Sequence, residues 1–146
     1  MAHLTREGLR RAKCPVRGAK ITILGWAFLA NSDDTRNTPS EPYRDILIGE
    51  GAQIVVHDPY VSEYPGIDIL SDLDQALQSA DAVVIFAGHN QYAGISPVTI
   101  RKLSGKKHPV IVDGRNLVEP DVFIRQGFIY KGIGRGDKNE HAIING

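Results

Sequence analysis

Short apolar runs separated by polar turns recur along the whole chain. Ile21-Thr22-Ile23-Leu24 is one such run, ended by Gly25, and it has the unbroken apolar character of a strand buried on both faces. Gln53 to His57 reads as a second strand that stops at Asp58-Pro59, and Ile67 to Leu70 as a short edge strand. Ala82 to Ala87 is the most hydrophobic strand, Val110 to Val112 is the next, and Phe128 to Ile133 closes the sheet. Helical patterns fall between them. Thr38-Pro39-Ser40-Glu41 has the form of a capping box, with Thr at the N-cap, Pro at N1 and Glu at N3, opening a helix to about Ile48 that stops at Gly49 or Gly51. Ser71 with Asp74 gives a second capping pattern, ahead of an apolar face formed by Leu73, Ala76, Leu77 and Ala80. Pro97 to Leu103 and Pro120 to Gln126 are shorter helices.

Strands alternate with helices and the connections are short, which predicts βαβ units. The expected fold is α/β: a Rossmann-like, doubly wound parallel sheet of five to six strands in a three-layer α/β/α arrangement. Residues 3–13 carry only Leu4 and Leu9 as large apolar side chains. So narrow a stripe does not stabilise a helix by itself, and the segment reads as the end of something longer. The expected organisation is a helix end with linker over 1–17, the α/β domain over 18–135 and a polar tail over 136–146.

Composition narrows the partners. With 146 residues the chain has the length of one domain. The 17 basic and 17 acidic side chains cancel, which argues against a general attraction to nucleic acid or to a membrane surface. Gly105 to Pro109 is a short basic cluster read as a solvated loop. The one cysteine, Cys14, excludes an internal disulfide and a thiolate metal cluster, and suits a reducing, cytoplasmic setting. It has no general-base partner nearby in sequence, so it is not read as a nucleophile. No apolar run approaches the roughly 20 residues that span a membrane.

In an open α/β sheet, ligands gather beyond the carboxyl ends of the strands where the strand order reverses. Polar segments fall at three such ends: Gly25 to Arg36, Gly88 to Tyr92 and Asp113 to Asn116. If the first, third major and fourth strands are neighbours, these segments line one crevice. NAD would require glycines that let the backbone approach a pyrophosphate, and in the first loop Gly25 stands alone before Trp26, Ala27 and Phe28. Asp58 has the position of an acid that holds an NAD ribose, but a strand stop with an Asx-type turn is the preferred reading. Arg115 is the better ligand candidate, its planar fork suited to phosphate, base or ribose, with an ion pair to Asp113 or Asp34 as the alternative. Arg36 is similarly placed between ligand contact and simple pairing with Asp33 or Asp34. His89 reads as a loop histidine touching ligand or solvent rather than a catalytic base. Trp26 and Phe28 are candidates to stack on a base, one of them pointing instead into the core. The sequence shows no catalytic constellation and no metal-ligand cluster.

Several of these segments together resemble a known family. The run Lys20 to Pro39 (KITILGWAFLANSDDTRNTP) is similar to the opening of the C-terminal, UDP-binding domain of UDP-glucose/GDP-mannose dehydrogenases, with its G-x-A-F-K-x-x-x-D-D-x-R-x-S-P pattern. His57 to Val61, Ala80 to Tyr92, Val112 to Asn116 and Gly127 to Gly134 continue the likeness in order. The resemblance implies a nucleotide-sugar 6-dehydrogenase that oxidises the C6 alcohol of a UDP-sugar twice with NAD, giving a uronic acid. It implies as partners the UDP-sugar and the NAD-binding and central domains of the same enzyme, which would be a homo-oligomer, with NAD bound mainly outside this domain. By the resemblance Phe28 and Leu29 contact the nucleotide, Arg115 binds it, and Arg36 reaches toward NAD; Gly25, His89 and Asp113 complete the candidate ligand loops. Two departures stand out. Leu29 occupies the position of the family's Lys, and the family's catalytic cysteine, with its Lys and Asp partners, has no counterpart here. The chain alone is therefore expected to be catalytically inactive. The other expectations are a stand-alone nucleotide-binding or regulatory module, and a small Rossmann protein binding NAD through Asp58.

Overall fold

Alternation within the apolar runs decides the layering. In a strand successive side chains point to opposite faces, so a run that is apolar throughout must be covered on both. The computed structural model, which describes residues 1–27 and 29–139, shows how that is done. The elements in chain order are α1 (Ala2–Arg11), β1 (Lys20–Leu24), α2 (Ser40–Gly49), β2 (Gln53–His57), β3 (Ile69–Leu70), α3 (Leu73–Leu77), β4 (Ala82–Ile85), α4 (Asn90–Ala93), α5 (Pro97–Ser104), β5 (Val110–Asp113), α6 (Pro120–Arg125) and β6 (Ile129–Gly132). The six strands form one sheet in the order β3-β2-β1-β4-β5-β6, with every pair parallel. This is the doubly wound α/β/α architecture expected from the sequence.

Ile21 and Ile23 of β1, Val84 of β4 and Val110 and Val112 of β5 pack on one face with Leu9 of α1 and Tyr43 and Leu47 of α2. Leu24, Val83, Ile85 and Ile111 pack on the other with Leu77, Ile100, Phe123 and Phe128. Thr22 faces this second layer, and its buried hydroxyl donates to the Ala76 carbonyl at 2.6 Å. The register pairs Leu24 with both His57 and Ile85, and Ile85 with Asp113, so the carboxyl ends of the four central strands lie level.

Several boundaries differ from the sequence reading. The first capping box does not form: the N-cap of α2 is Pro39, not Thr38, whose Oγ1 accepts from Ser40 N at 3.2 Å and whose N–H donates to Thr35 O rather than to Glu41. The cap of α3 is Asp72, not Ser71; its carboxylate accepts from the N–H groups of Asp74 and Gln75. Ala80 lies beyond that helix because the chain turns extended at Gln78. A short helix, α4, stands where a loop was expected.

α1 lies on the β5–β6 side of the sheet with Thr5, Gly8 and Leu9 buried. Gly8 allows the approach, since a Cβ there would stand 2.5 Å from Val110 Cγ1. Polar contacts supply what the thin apolar stripe lacks: Arg6 forks onto Glu50 at 2.7 and 3.0 Å, Thr5 meets the Tyr43 hydroxyl at 2.8 Å, and Lys131 lies 3.7 Å from Glu7. Residues 136–139 of the expected tail run beside β6, where Asn139 accepts from Tyr130 N and donates to Phe128 O; residues 140–146 lie outside the described residues. Among the described residues no helix is long and apolar enough to cross a membrane.

Candidate functional site

Strand order reverses between β1 and β4, and β4 lies beside β5. The three polar segments singled out in the sequence therefore emerge side by side at the carboxyl end of the sheet. Gly25 starts the first of them with φ +105°, a backbone conformation that side chains disfavour. A Cβ there would also collide with Ala87 at 2.5 Å, so this glycine lets the ends of β1 and β4 close on each other. Its N–H donates to His57 O at 2.8 Å and its carbonyl accepts from Ser40 Oγ at 2.8 Å, tying the loop start to β2 and to α2.

Asp58 governs the next residues. Its Oδ1 accepts from the N–H groups of Tyr60 and Val61, the Asx turn expected at the strand stop. Its Oδ2 accepts from Trp26 N at 2.8 Å, Ala27 N at 2.9 Å and His89 Nε2 at 3.1 Å. Burial pushes against ionisation of Asp58, but the N–H donors of Ala27, Tyr60, His89 and Trp26 outweigh it and hold the carboxyl below its ordinary value. A carboxylate so occupied, and 2% exposed, has nothing left for a ribose. With Gly25 alone at the turn, the residues described here do not fit NAD.

His89 is fully buried, so it is not the solvent-touching loop histidine that the sequence allowed. Its ring packs 4.8 Å from Tyr60 and 5.4 Å from Tyr92. Beyond it, Asn31 crosses from the first loop to the second: Asn31 Oδ1 accepts from Asn90 N at 3.0 Å and from the Tyr60 hydroxyl at 3.2 Å. Asn31 and Asn90 lay within two of the polar segments but were given no role of their own; the signal available was that asparagine tolerates the left-handed region, where Asn31 sits at φ +54°.

Trp26 is fully buried against Tyr64, so it belongs to the core and not to a base-stacking surface. Phe28 lies outside the described residues. Leu29 is 51% exposed at the loop tip. Arg36 forks back onto Asp34 at 3.0 and 2.8 Å, and the Arg36 side chain and N–H lower the Asp34 carboxyl to about 2. This pair is the local arrangement weighed in the sequence, yet it leaves the Arg36 side chain largely exposed on the loop.

Asp113 does for β5 what Asp58 does for β2. Fully buried, it accepts from the N–H groups of Arg115, Leu117 and Val118 at 3.0, 2.7 and 2.9 Å. Asp113 thus shapes the turn that carries Arg115. Arg135, which sequence reasoning missed, supports the turn from outside by donating to Val118 O, Asn116 O and the Tyr130 hydroxyl. Arg115 lines a cavity of about 160 Å³ together with Met1, Pro39, Phe86, Gly114 and Ile133. Pockets enclosing drug-sized ligands are roughly 300–1,000 Å³. This one is smaller, with room for a single ring or group beside the Arg115 turn. No group of three or more metal-ligating side chains occurs among the described residues.

The chain matches the family model of the UDP-glucose/GDP-mannose dehydrogenase family, UDP binding domain, over residues 22–120. It is similar to the crystal structure of an NDP-N-acetyl-D-galactosaminuronic acid dehydrogenase from Methanosarcina mazei Go1, with a TM-score of 0.90 and 51% identity, over 91% of this chain and 28% of that one. It is 35% identical over 137 residues to the UDP-N-acetyl-D-mannosamine dehydrogenase of Pyrococcus horikoshii, covering 93% of this chain and 30% of that protein. With the UDP-glucose 6-dehydrogenase of Rhizobium meliloti the identity is 33% over 137 residues, 90% of this chain and 31% of the relative. The chain thus spans less than a third of the length of these relatives.

Proposed function

The chain belongs to the UDP-glucose/GDP-mannose dehydrogenase family, matching its UDP binding domain, and on that premise we propose that it holds the nucleotide of a UDP-sugar at the carboxyl ends of β1, β4 and β5. The observation that carries this reading is Arg115: a guanidinium on a buried carboxylate-shaped turn, lining the cavity beside the strand-order reversal, inside the matched segment. In this reading Arg115 grips the nucleotide portion through its planar fork. Phe28 and Leu29 border the nucleotide from the first loop. Gly25, Asp113 and His89 act on the backbone of the loops and not on the ligand.

The larger enzyme is, in the same reading, an NAD-dependent 6-dehydrogenase that oxidises the C6 alcohol of a UDP-hexose or UDP-N-acetylhexosamine to a uronic acid. The saturated Asp58 and the loop without further glycines support NAD being held by another domain. In this reading Arg36, clipped by Asp34 on an exposed loop, meets that domain. The partners are then the UDP-sugar and the NAD-binding and central domains of one homo-oligomeric enzyme, and the 146-residue chain alone turns over no substrate.

Calorimetry with UDP and NAD⁺ in separate titrations tests this. UDP is expected to bind, and Arg115→Ala to weaken it roughly 10- to 100-fold, the value of a lost charge-assisted hydrogen bond. No NADH should form from a UDP-sugar and NAD⁺. Binding of NAD⁺ with UDP ignored, and abolished by Asp58→Ala, would overturn the reading in favour of a small NAD-binding protein.

A further inference from the structure

The ring of His89 is held by two contacts that together fix its protons. Asn31 N–H points at Nδ1 from 2.8 Å, so Nδ1 must present a lone pair. Nε2 lies 3.1 Å from the Asp58 carboxylate, so Nε2 carries the proton and donates. One neutral tautomer satisfies both, and the ring, fully buried, has no solvent to turn toward. Asp58 holds two amides of the first loop directly, Trp26 N and Ala27 N, and through His89 it holds a third, four residues further on.

We propose that His89 is a positioning residue for nucleotide binding: it carries the anchorage of Asp58 across the crevice to Asn31, and so sets where the loop after β1 meets the end of β4. The proposal rests on the reading of that crevice as the nucleotide site. The anchored point is a demanding one. Asn31 sits in the left-handed region at φ +54° and gathers Asn90 N and the Tyr60 hydroxyl on its side-chain oxygen. Gly88, just before His89, lies against the loop closely enough that a Cβ would stand 3.7 Å from that of Ala30. Leu29, the exposed tip, is thus two residues from the clamp and inherits its position from it. The groups facing the ring are Asp58 from the end of β2, Tyr60 after it and Tyr92 of α4, with His57 of β2 beyond Tyr92.

Two amide substitutions separate the two contacts. His89→Asn places an amide oxygen as many bonds from the backbone as Nδ1, and keeps an acceptor for Asn31 N–H. His89→Gln places an amide nitrogen as many bonds away as Nε2, and keeps the donor to Asp58 while losing the acceptor. Each is measured for thermal melting, for hydrogen exchange at the Asn31 amide, and for UDP affinity by calorimetry. H89Q is expected to melt near the wild type yet expose the Asn31 amide to exchange and weaken UDP roughly 5- to 100-fold, the cost of one unsatisfied amide. H89N keeps the acceptor but cuts the link to Asp58, so it is expected to protect the Asn31 amide better than H89Q and bind UDP at least about fivefold tighter than H89Q, yet more weakly than the wild type.

If H89Q keeps Asn31 protected, or H89N is no better than H89Q in exchange, the clamp is refuted. If the wild type fails to bind UDP, the functional reading falls, and the clamp is judged on the exchange data alone.

Discussion

Buried carboxylates set the turns at the ends of β2 and β5, and this is where residue-level reading succeeded locally and failed across the fold. Asp58-Pro59 announced an Asx turn, and Oδ1 makes it. Nothing in the sequence could show that Oδ2 would collect Trp26, Ala27 and His89 from two other strand ends, because that set is defined by strand order. Arg36 beside Asp34 was legible because the partners are two residues apart; Arg135 on the Asn116–Val118 carbonyls was not, because they are separated by a helix and a strand. Leu29 offers the sharpest residue-scale test. It is half exposed at the tip of an anchored loop, where the resembling family carries a Lys. Leu29→Lys loses little packing and adds a cation where the nucleotide is proposed to lie. UDP affinity is expected to rise roughly tenfold or more at low salt, the value of a charge-assisted hydrogen bond, and to lose part of that gain as ionic strength increases. Calorimetry at two salt concentrations checks it; an unchanged affinity would place the nucleotide away from this loop.

At the scale of elements, the strands were the legible part. Apolar runs buried on both faces, such as β1 and β5, have no polar alternation to mislead, and the ends of β1, β2 and β5 are marked by Gly25, Asp58 and Asp113. Helices with thin or short apolar faces were less so. α4 is a single turn whose sequence, Asn-Gln-Tyr-Ala, has no period to read, and its one buried anchor is Tyr92. α1 is the instructive case. Its two leucines predicted a helix unable to stand alone, and it docks instead through a glycine. The contact at Gly8 is so close that the usual gain from replacing a helical glycine, about 1 kcal/mol, should be reversed. Gly8→Ala drives a methyl to within 2.5 Å of Val110 Cγ1, and a β-branched side chain in a packed strand has little room to turn. The variant is expected to lose about 1–3 kcal/mol of stability, read as a lower urea midpoint at unchanged slope. A stabilised Gly8→Ala would mean that α1 is not seated on β5 as described.

For the whole molecule, ionisable groups at opposite ends of the pH scale define a window of maximal stability. Burial lowers the affinity of His57 for a proton, although the Ser71 carbonyl opposes the shift. The unfolded chain therefore takes up that proton first: stability is full above the ordinary histidine value of 6.5 and declines as the pH falls below it. Asp58, also depressed, extends the loss as the pH drops under its ordinary 3.8, and its protonation would loosen Trp26 and Ala27 of the first loop, and His89, from their common anchor. On the alkaline side burial raises Tyr43 and Tyr92, and pushes Tyr130 up to about 12. Unfolding lets these phenols ionise at their ordinary 10.0, so stability should decline again above that pH. Cys14, raised by burial from 9.0, adds a smaller loss that begins earlier. The expected profile is a plateau between about 6.5 and 9 with a shallow acid shoulder, recorded as urea midpoints across the pH range. His57→Gln should remove the shoulder near 6.5 and leave the steeper loss near 4, because it deletes the histidine and spares Asp58. A shoulder that survives in His57→Gln would assign the acid sensitivity to another imidazole. Since His57 and Asp58 are consecutive residues at the end of β2, the second, more acidic step follows the first at the same strand end and reaches the loop after β1 through its anchor Asp58.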